Sequence, residues 1–327
     1  MTNFKKIGLT ALAASLVSVS ANAGALTASG SASMNTEGHS GTGLDAGTTF
    51  SMANSVVLSG SGELDNGMTV SLSFELDQSD TDGDGSSFDS HSVTVSSDTL
   101  GTLTLAGHGG SSTTGKIDTT AAGDMWDNFD GVTYTGGVTV ADAVSANSGE
   151  NNNLLYTSPD LMDGLNVTLS YNPQVTANES ETGFGVNYSG IEGLSLSYAV
   201  TDENTHAGSD TSGDNTVIKA SYAYGPVTVA YSEMEHDEGL SSGANDITMT
   251  SYALTYTMSD ELSVTYGSET SDKGSKTTDL EVEGISVAYT TGGMTISASS
   301  MSLENGNWGT GSEEDMDYWA LGASFAF

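Results

Sequence analysis

The sequence predicts an all-β protein, a transmembrane antiparallel β-barrel of about 16 strands. Three observations lead to this prediction. The N-terminus has the features of an export signal, later segments alternate apolar and polar residues, and the connections between them alternate between short and long. Strands with one apolar face, joined by short turns at one end and long loops at the other, are typical of outer-membrane barrels.

The composition narrows the function classes. The 327 residues include 43 acidic and only six basic ones, all six of them Lys, for a formal net charge of −37. Such acidity argues against a nucleic-acid partner. The chain has no Cys, which excludes disulfides, thiolate metal sites and Cys nucleophiles. Large apolar residues are too few for an ordinary soluble core of this length. A barrel in lipid resolves the shortage, because only one face of each strand needs to be apolar.

The first 23 residues have the pattern of a secretory signal peptide. Lys5 and Lys6 precede an apolar stretch over 7–19, and Ala21-Asn22-Ala23 forms a small-residue cleavage site. We therefore predict a signal peptide over 1–23, a single barrel domain over 24–327, and export to the bacterial outer membrane.

The rest of the chain reads as strands. From Met68 to Asp77, apolar and polar residues alternate without a break, which places them on opposite faces of a strand. We therefore predict that the opposite face is small and hydrophilic. Interruptions of the alternation near Ser251 and Gly284 are interpreted as β-bulges. The candidate strands lie near residues 24–34, 49–64, 68–77, 91–97, 102–108, 152–158, 165–172, 182–189, 194–200, 216–224, 227–234, 247–257, 262–269, 279–290, 294–303 and 316–327.

Two other arrangements fit parts of the pattern. In water, two sheets could bury their apolar faces against each other as a sandwich. The acidic loops also fit a secreted β protein, such as an adhesin or surface-layer component stabilised by calcium. The alternation of short turns and long loops favours the barrel. No enzyme is expected, since the sequence has no G-x-S-x-G nucleophile elbow and its five His show no metal-ligand spacing.

The end of the chain and two internal segments carry a family resemblance. The last strand places Trp319, Phe325 and Phe327 on one face, and the chain ends on Phe327. The segments NNLLYTSPDL, starting at Asn152, and LGTLTLAG, starting at Leu100, resemble the strands on either side of the third loop in Gram-negative general diffusion porins, particularly alphaproteobacterial ones.

The resemblance implies a function and several partners. It implies a third loop, about 109–151, that folds into the barrel and narrows it, and a water-filled channel for passive diffusion of small hydrophilic solutes and ions. It also implies a homotrimer in outer-membrane lipid, with no required cofactor. Trp319, Phe325 and Phe327 would form the signal that the barrel-assembly machinery reads.

The acidic residues of that loop are the predicted pore constriction: Asp118, Asp124, Asp127 and Asp130. Glu63 and Glu75 are weaker candidates for the lumen wall. The family usually sets a cluster of Arg and Lys against the acidic loop, whereas this chain has no Arg. Carboxylates around a pore favour cations, so we predict a preference for cations.

One acidic loop resembles the opening of a calcium-binding loop. Asp80, Asp82 and Asp84 have the spacing of the first three ligands and are followed by Gly85. The twelfth position is His91 instead of Glu, so the motif is incomplete. Calcium at these three Asp residues is a prediction of the sequence.

Overall fold

The computed structural model describes residues 26–41, 47–77, 88–133, 140, 151–173, 180–204, 213–239, 242–310 and 315–327. The predicted signal peptide lies outside these residues. Within the described ranges, no helix is both long and apolar enough to cross a membrane.

The described residues contain sixteen antiparallel strands, which form a closed barrel; each strand pairs with its neighbours in sequence, and the first strand pairs with the last. This confirms the predicted fold class. The strands are β1 (Thr27–Ser40), β2 (Gly47–Glu63), β3 (Thr69–Asp77), β4 (Ser90–Ser97), β5 (Gly101–His108), β6 (Asn153–Thr157), β7 (Leu165–Asn172), β8 (Ser180–Tyr188), β9 (Leu194–Asn204), β10 (Asp214–Tyr224), β11 (Val227–Asp237), β12 (Ile247–Thr257), β13 (Leu262–Lys273), β14 (Leu280–Thr291), β15 (Met294–Glu304) and β16 (Met316–Ala326). Two 3₁₀ turns, Met125–Asn128 and Gly306–Trp308, are the described helical elements.

The apolar residues of the alternating pattern lie on the outer face of the barrel. On β12, Tyr252, Leu254 and Tyr256 are all exposed, with Leu254 at 48%. Similar exposed residues, including Leu169 on β7 and Ile285 on β14, continue the apolar surface on other strands. A contiguous apolar surface of this kind is unfavourable in water and is expected against hydrocarbon. The sandwich alternative, in which these side chains would be buried, is therefore wrong.

The prediction that the opposite face is small and hydrophilic is wrong for one part of the wall. On β12, Ile247 and Met249 are buried on the inner face, although Tyr252 and Leu254 further along the strand face outward. β14 repeats this change of face. The inner apolar side chains form one cluster with residues of the loop between β5 and β6: Met125, Phe129, Val140, Val217, Met234, Ile247, Met249, Leu280, Val282, Leu303, Trp308, Met316 and Tyr318.

The predicted bulges near Ser251 and Gly284 are also wrong. Ser251 pairs with Ser232 on β11 and with Glu269 on β13, and the register of all three strands continues without a shift. The register is likewise continuous through Gly284 on β14. The alternation breaks at Ser251 and Gly284 because the apolar residues before these positions lie on the inner face, in the cluster with the β5–β6 loop. The apolar residues after them lie on the outer face. The register does shift in β4, between His91 and Ser92.

The point on β14 at which the apolar residues change from the inner to the outer face predicts the boundary of the membrane hydrocarbon on the outer surface of the barrel. Glu281 and Val287 are on the same outer face of β14, about 20 Å apart along the strand. Because the chain has no Cys, single Cys variants can each carry one nitroxide label in liposomes. We expect the label at Val287→Cys to collide mainly with dissolved oxygen, and the label at Glu281→Cys with a water-soluble nickel complex. The same collision profile at both positions would contradict this membrane boundary.

Candidate functional site

The loop between β5 and β6 begins with a buried, hydrogen-bonded segment. Ser112, Thr113 and Thr114 are almost completely buried. The Thr113 amide donates to Ser170 Oγ on β7 at 3.1 Å, and its hydroxyl donates to the Val200 carbonyl on β9 at 3.1 Å. Both the Thr113 hydroxyl and Ser170 Oγ would lie 2.3 Å from a Cβ at Gly183 on β8. A residue larger than Gly at position 183 would therefore displace this part of the loop.

Two oppositely charged wall residues hold the middle of the loop. Lys219 Nζ on β10 donates to the Thr119 carbonyl. Glu269 on β13 is fully buried and accepts hydrogen bonds from the Thr120 hydroxyl and, at 2.9 Å, from the Trp126 amide. Buried carboxylates of this kind are strongly destabilising unless donors satisfy them. Glu269 thus ties this part of the loop to the wall.

Small hydroxyl side chains of the inner face complete this attachment. The Ala121 amide donates to Ser232 Oγ on β11 at 2.8 Å, and the Ala122 amide donates to Ser251 Oγ on β12 at 3.0 Å. The phase break at Ser251 therefore marks a point of loop attachment.

The loop also reaches the strands at the barrel seam. The Asn128 carbonyl is 2.8 Å from His39 Nε2 on β1. The Phe129 ring is fully buried, with its centroid 6.0 Å from the rings of His39 and Tyr318. The Tyr318 hydroxyl donates to Glu37 at 2.9 Å. Inner-face contacts therefore extend from β7 to the seam between β1 and β16.

The four predicted constriction residues all lie on this attached segment. Asp118 and Asp124 are half-buried, whereas Asp127 and Asp130 are exposed. Asp124 is fixed by two hydrogen bonds with Thr120: its carboxylate accepts from the Thr120 amide at 2.8 Å, and its own amide donates to the Thr120 hydroxyl at 2.7 Å. The segment thus brings four carboxylates together on one short stretch of chain.

Two of these carboxylates, Asp118 and Asp127, have a raised pKa. Burial, together with the nearby charge of Asp124, raises the pKa of Asp118 to about 6, although Lys219 acts in the opposite direction. The pKa of Asp127, which is exposed as a residue, is also raised, first by partial desolvation of its carboxyl group and then by the charges of Asp130 and Asp124. The negative charges of neighbouring Asp residues thus oppose the ionisation of Asp118 and Asp127.

The weaker candidates lie elsewhere on the wall. Glu75 is on the inner face of β3, where it accepts a hydrogen bond from Ser90 Oγ at 3.2 Å. Glu63 is exposed at the end of β2, next to a short turn. The calcium candidates Asp80, Asp82 and Asp84 lie outside the described residues, so that site stays a prediction. Within the described part of the chain, no group of three or more acidic or His residues could hold a metal ion.

The C-terminal residues Trp319, Phe325 and Phe327 lie on the outer face of the seam. The backbones of Phe327 and Gly30 exchange two hydrogen bonds, of 2.8 and 3.0 Å. A Cβ at Gly30 would be 2.7 Å from the Phe327 ring, and one at Gly38 would be 2.8 Å from Trp319 Nε1. These glycines give the two aromatic rings room to pack on β1.

Sequence reasoning did not find the residues that attach the loop. The alternation of β13 places Glu269 on the polar face and Tyr266 on the apolar face. This placement was the only indication in the sequence that Glu269 faces the interior of the barrel. Lys219 could have been singled out because the chain has only six Lys residues among 43 acidic ones. Nothing in the sequence distinguishes Ser170, Ser232 and Ser251, because Ser and Thr fill the polar face of most strands.

Comparison with known proteins decides the family. The sequence profile of the Gram-negative porin family matches residues 8–283. The chain belongs to this family. As a porin, it is an outer-membrane channel for diffusion. Comparison with curated protein sequences gave no match.

Solved structures agree with this porin's fold. An anion-selective porin from Comamonas acidovorans is 16% identical, with a TM-score of 0.66 over 93% of this chain and 99% of that one. A mutant of the Rh. blastica porin is 21% identical, with a TM-score of 0.62 over 92% and 100%. The outer-membrane-expressed OmpT of Vibrio cholerae is 13% identical, with a TM-score of 0.64 over 94% and 99%. At these identities the similarity establishes the fold alone.

Proposed function

We propose that this porin is a cation-preferring channel for the passive diffusion of small hydrophilic solutes and ions, with no catalysed reaction. In this proposal, the loop segment 109–133 lies across the lumen and narrows it. The observation that carries the proposal is the group of four carboxylates on a segment that is hydrogen-bonded to inner-face residues of β7, β11 and β13. Carboxylates at a constriction attract cations and repel anions.

The charges, more than the fold, are expected to set the ion preference. The porin from Comamonas acidovorans is anion-selective, so this barrel architecture is compatible with either preference. The present chain has 43 acidic residues, no Arg and six Lys. A lumen with such a balance should have a negative potential, screened over a Debye length of about 8 Å at physiological salt.

The remaining parts of the proposal concern export and assembly. Residues 1–23 would direct export and then be removed. Three copies would associate in outer-membrane lipid, and the outer aromatic residues of β16 would be read by the barrel-assembly machinery. The family resemblance supports these statements. Calcium at Asp80, Asp82 and Asp84 would be an addition to the channel and not a requirement for it.

The raised pKa of Asp118 predicts that selectivity depends on pH. Asp118 is mostly protonated at pH 5 and ionised at pH 8, because its pKa is about 6. We expect the cation-to-anion permeability ratio to be about twofold higher at pH 8 than at pH 5, from the energy of one added charge near the ion path. Reversal potentials across planar bilayers in a KCl gradient measure this ratio.

The matched control for this prediction is Asp118→Asn, which should flatten the pH dependence around pH 6. Equal selectivity of the wild-type channel for anions and cations at both pH values, or a preference for anions at pH 8, would contradict the proposed function.

A further inference from the structure

Lys219 is the only cationic side chain of the described inner wall that bonds to the acidic loop. It is half-buried on β10, between the inner-face residues Val217 and Ser221. Its ammonium group donates to the Thr119 carbonyl, which lies directly after Asp118 in the chain. A charge is thereby fixed beside the acidic group, on the wall side of the loop.

Among the residues that the structure describes, the charges that act on Lys219 are acidic. Both Asp118 and Asp124 interact electrostatically with the Lys219 charge. Glu269, across the loop, also interacts with Asp124. The cross-strand partners of Lys219 are Ser197 on β9 and Ser232 on β11, both uncharged.

The other loop cation is placed differently. Lys116 is exposed, and its ammonium group donates to Thr157 Oγ1 on β6 at 3.3 Å. It is not among the charges that affect Asp118. The chain therefore offers two Lys residues in one region, one next to the acidic group and one directed away from it.

We propose that Lys219 is a positioning residue that sets both the strength and the pH range of the cation preference of this pore. It holds the Thr119 backbone, and its charge offsets part of the charge of Asp118 and Asp124. This inference rests on the proposed function, because it assigns a role within the same constriction. A fixed counter-charge favours the ionised form of nearby carboxylates and weakens the field that a passing cation meets.

The test compares Lys219→Met, Lys219→Arg and Lys116→Met with the wild type by reversal potential between pH 4.5 and 8.5. At pH 8 we expect Lys219→Met to raise the cation-to-anion permeability ratio about twofold. Without the nearby ammonium group, which lowers the pKa of Asp118, the midpoint of the pH dependence should move upward. Lys219→Arg retains a charge and a donor and should keep the wild-type midpoint.

Lys116→Met provides the matched control. Removing this cation can change the permeability ratio, but it should leave the midpoint unchanged because Lys116 does not affect Asp118. Heat-modifiable migration on a denaturing gel establishes that each variant has folded. If a folded Lys219→Met variant keeps the wild-type midpoint, or if Lys116→Met moves it equally, the assignment to Lys219 is wrong. A wild type without cation preference would instead contradict the proposed function, whatever the midpoints.

Discussion

Replacing Glu269 by Ala is expected to release the middle of the loop, giving a larger and noisier single-channel current. Glu269 is fully buried and accepts hydrogen bonds from Thr120 and Trp126. Removing an acceptor from buried donors costs about 1–3 kcal/mol for each group left unsatisfied. A loss of about 3 kcal/mol would raise the population of locally detached loop by roughly 100-fold. Single-channel recording in planar bilayers measures the conductance and its fluctuations.

Two variants distinguish this effect from general damage. Glu269→Gln keeps an oxygen that can accept one of the hydrogen bonds, so its current should be closer to that of the wild type. Glu281→Ala removes an exposed carboxylate from the outer face of β14 and should leave conductance and noise unchanged. If folded Glu269→Ala channels have wild-type conductance and noise, the attachment of the loop by Glu269 does not control the pore.

Deletion of Phe327 is expected to impair closure of the barrel. Phe327 exchanges two backbone hydrogen bonds with Gly30 at the seam between β1 and β16, and its ring packs over that glycine. Losing two hydrogen bonds costs about 2 kcal/mol. The equilibrium between closed and open seam would then change by more than tenfold. Heat-modifiable migration of outer-membrane fractions should therefore show less folded barrel than the wild type, and the folded form should be lost at a lower temperature.

Phe50→Ala is the control for this deletion. Phe50 is also an exposed aromatic residue on the outer face, on β2, at 87% exposure, and it lies outside the seam. Its removal should leave the amount of folded barrel close to that of the wild type. If the Phe327 deletion accumulates folded barrel at the level of Phe50→Ala, neither seam closure nor assembly depends on Phe327.

The outer face could be predicted from sequence because lipid imposes a simple alternation. From Thr69 to Asp77, the structure has the strand that the alternation predicts. The first strand was predicted to end near Met34 but continues to Ser40. The residues between carry no apolar alternation, because Gly38 accommodates the Trp319 ring on one face and His39 contacts the loop on the other. Contacts with distant segments decide the structure there, and local sequence does not encode them.

The inner apolar cluster could not be predicted from strand patterns for a related reason. Ile247 and Met249 have the same spacing as lipid-facing residues, and nothing in β12 itself shows that they face the loop. The four acids of the loop were identifiable because they form a dense run of one charge type. The side chains that position them, such as Ser232 and Glu269, acquire their role only through pairing across more than 100 residues of sequence.

The swelling of liposomes that contain the purified protein, in isosmotic solutions of small solutes, reports directly whether the barrel encloses an open aqueous passage. If the barrel encloses a water-filled acidic passage beside the attached loop, liposomes should swell in small neutral sugars. Swelling should be faster with an organic cation than with an organic anion of equal size. If folded protein gives no swelling with any of these solutes, the barrel has no open passage and the protein is not a diffusion channel.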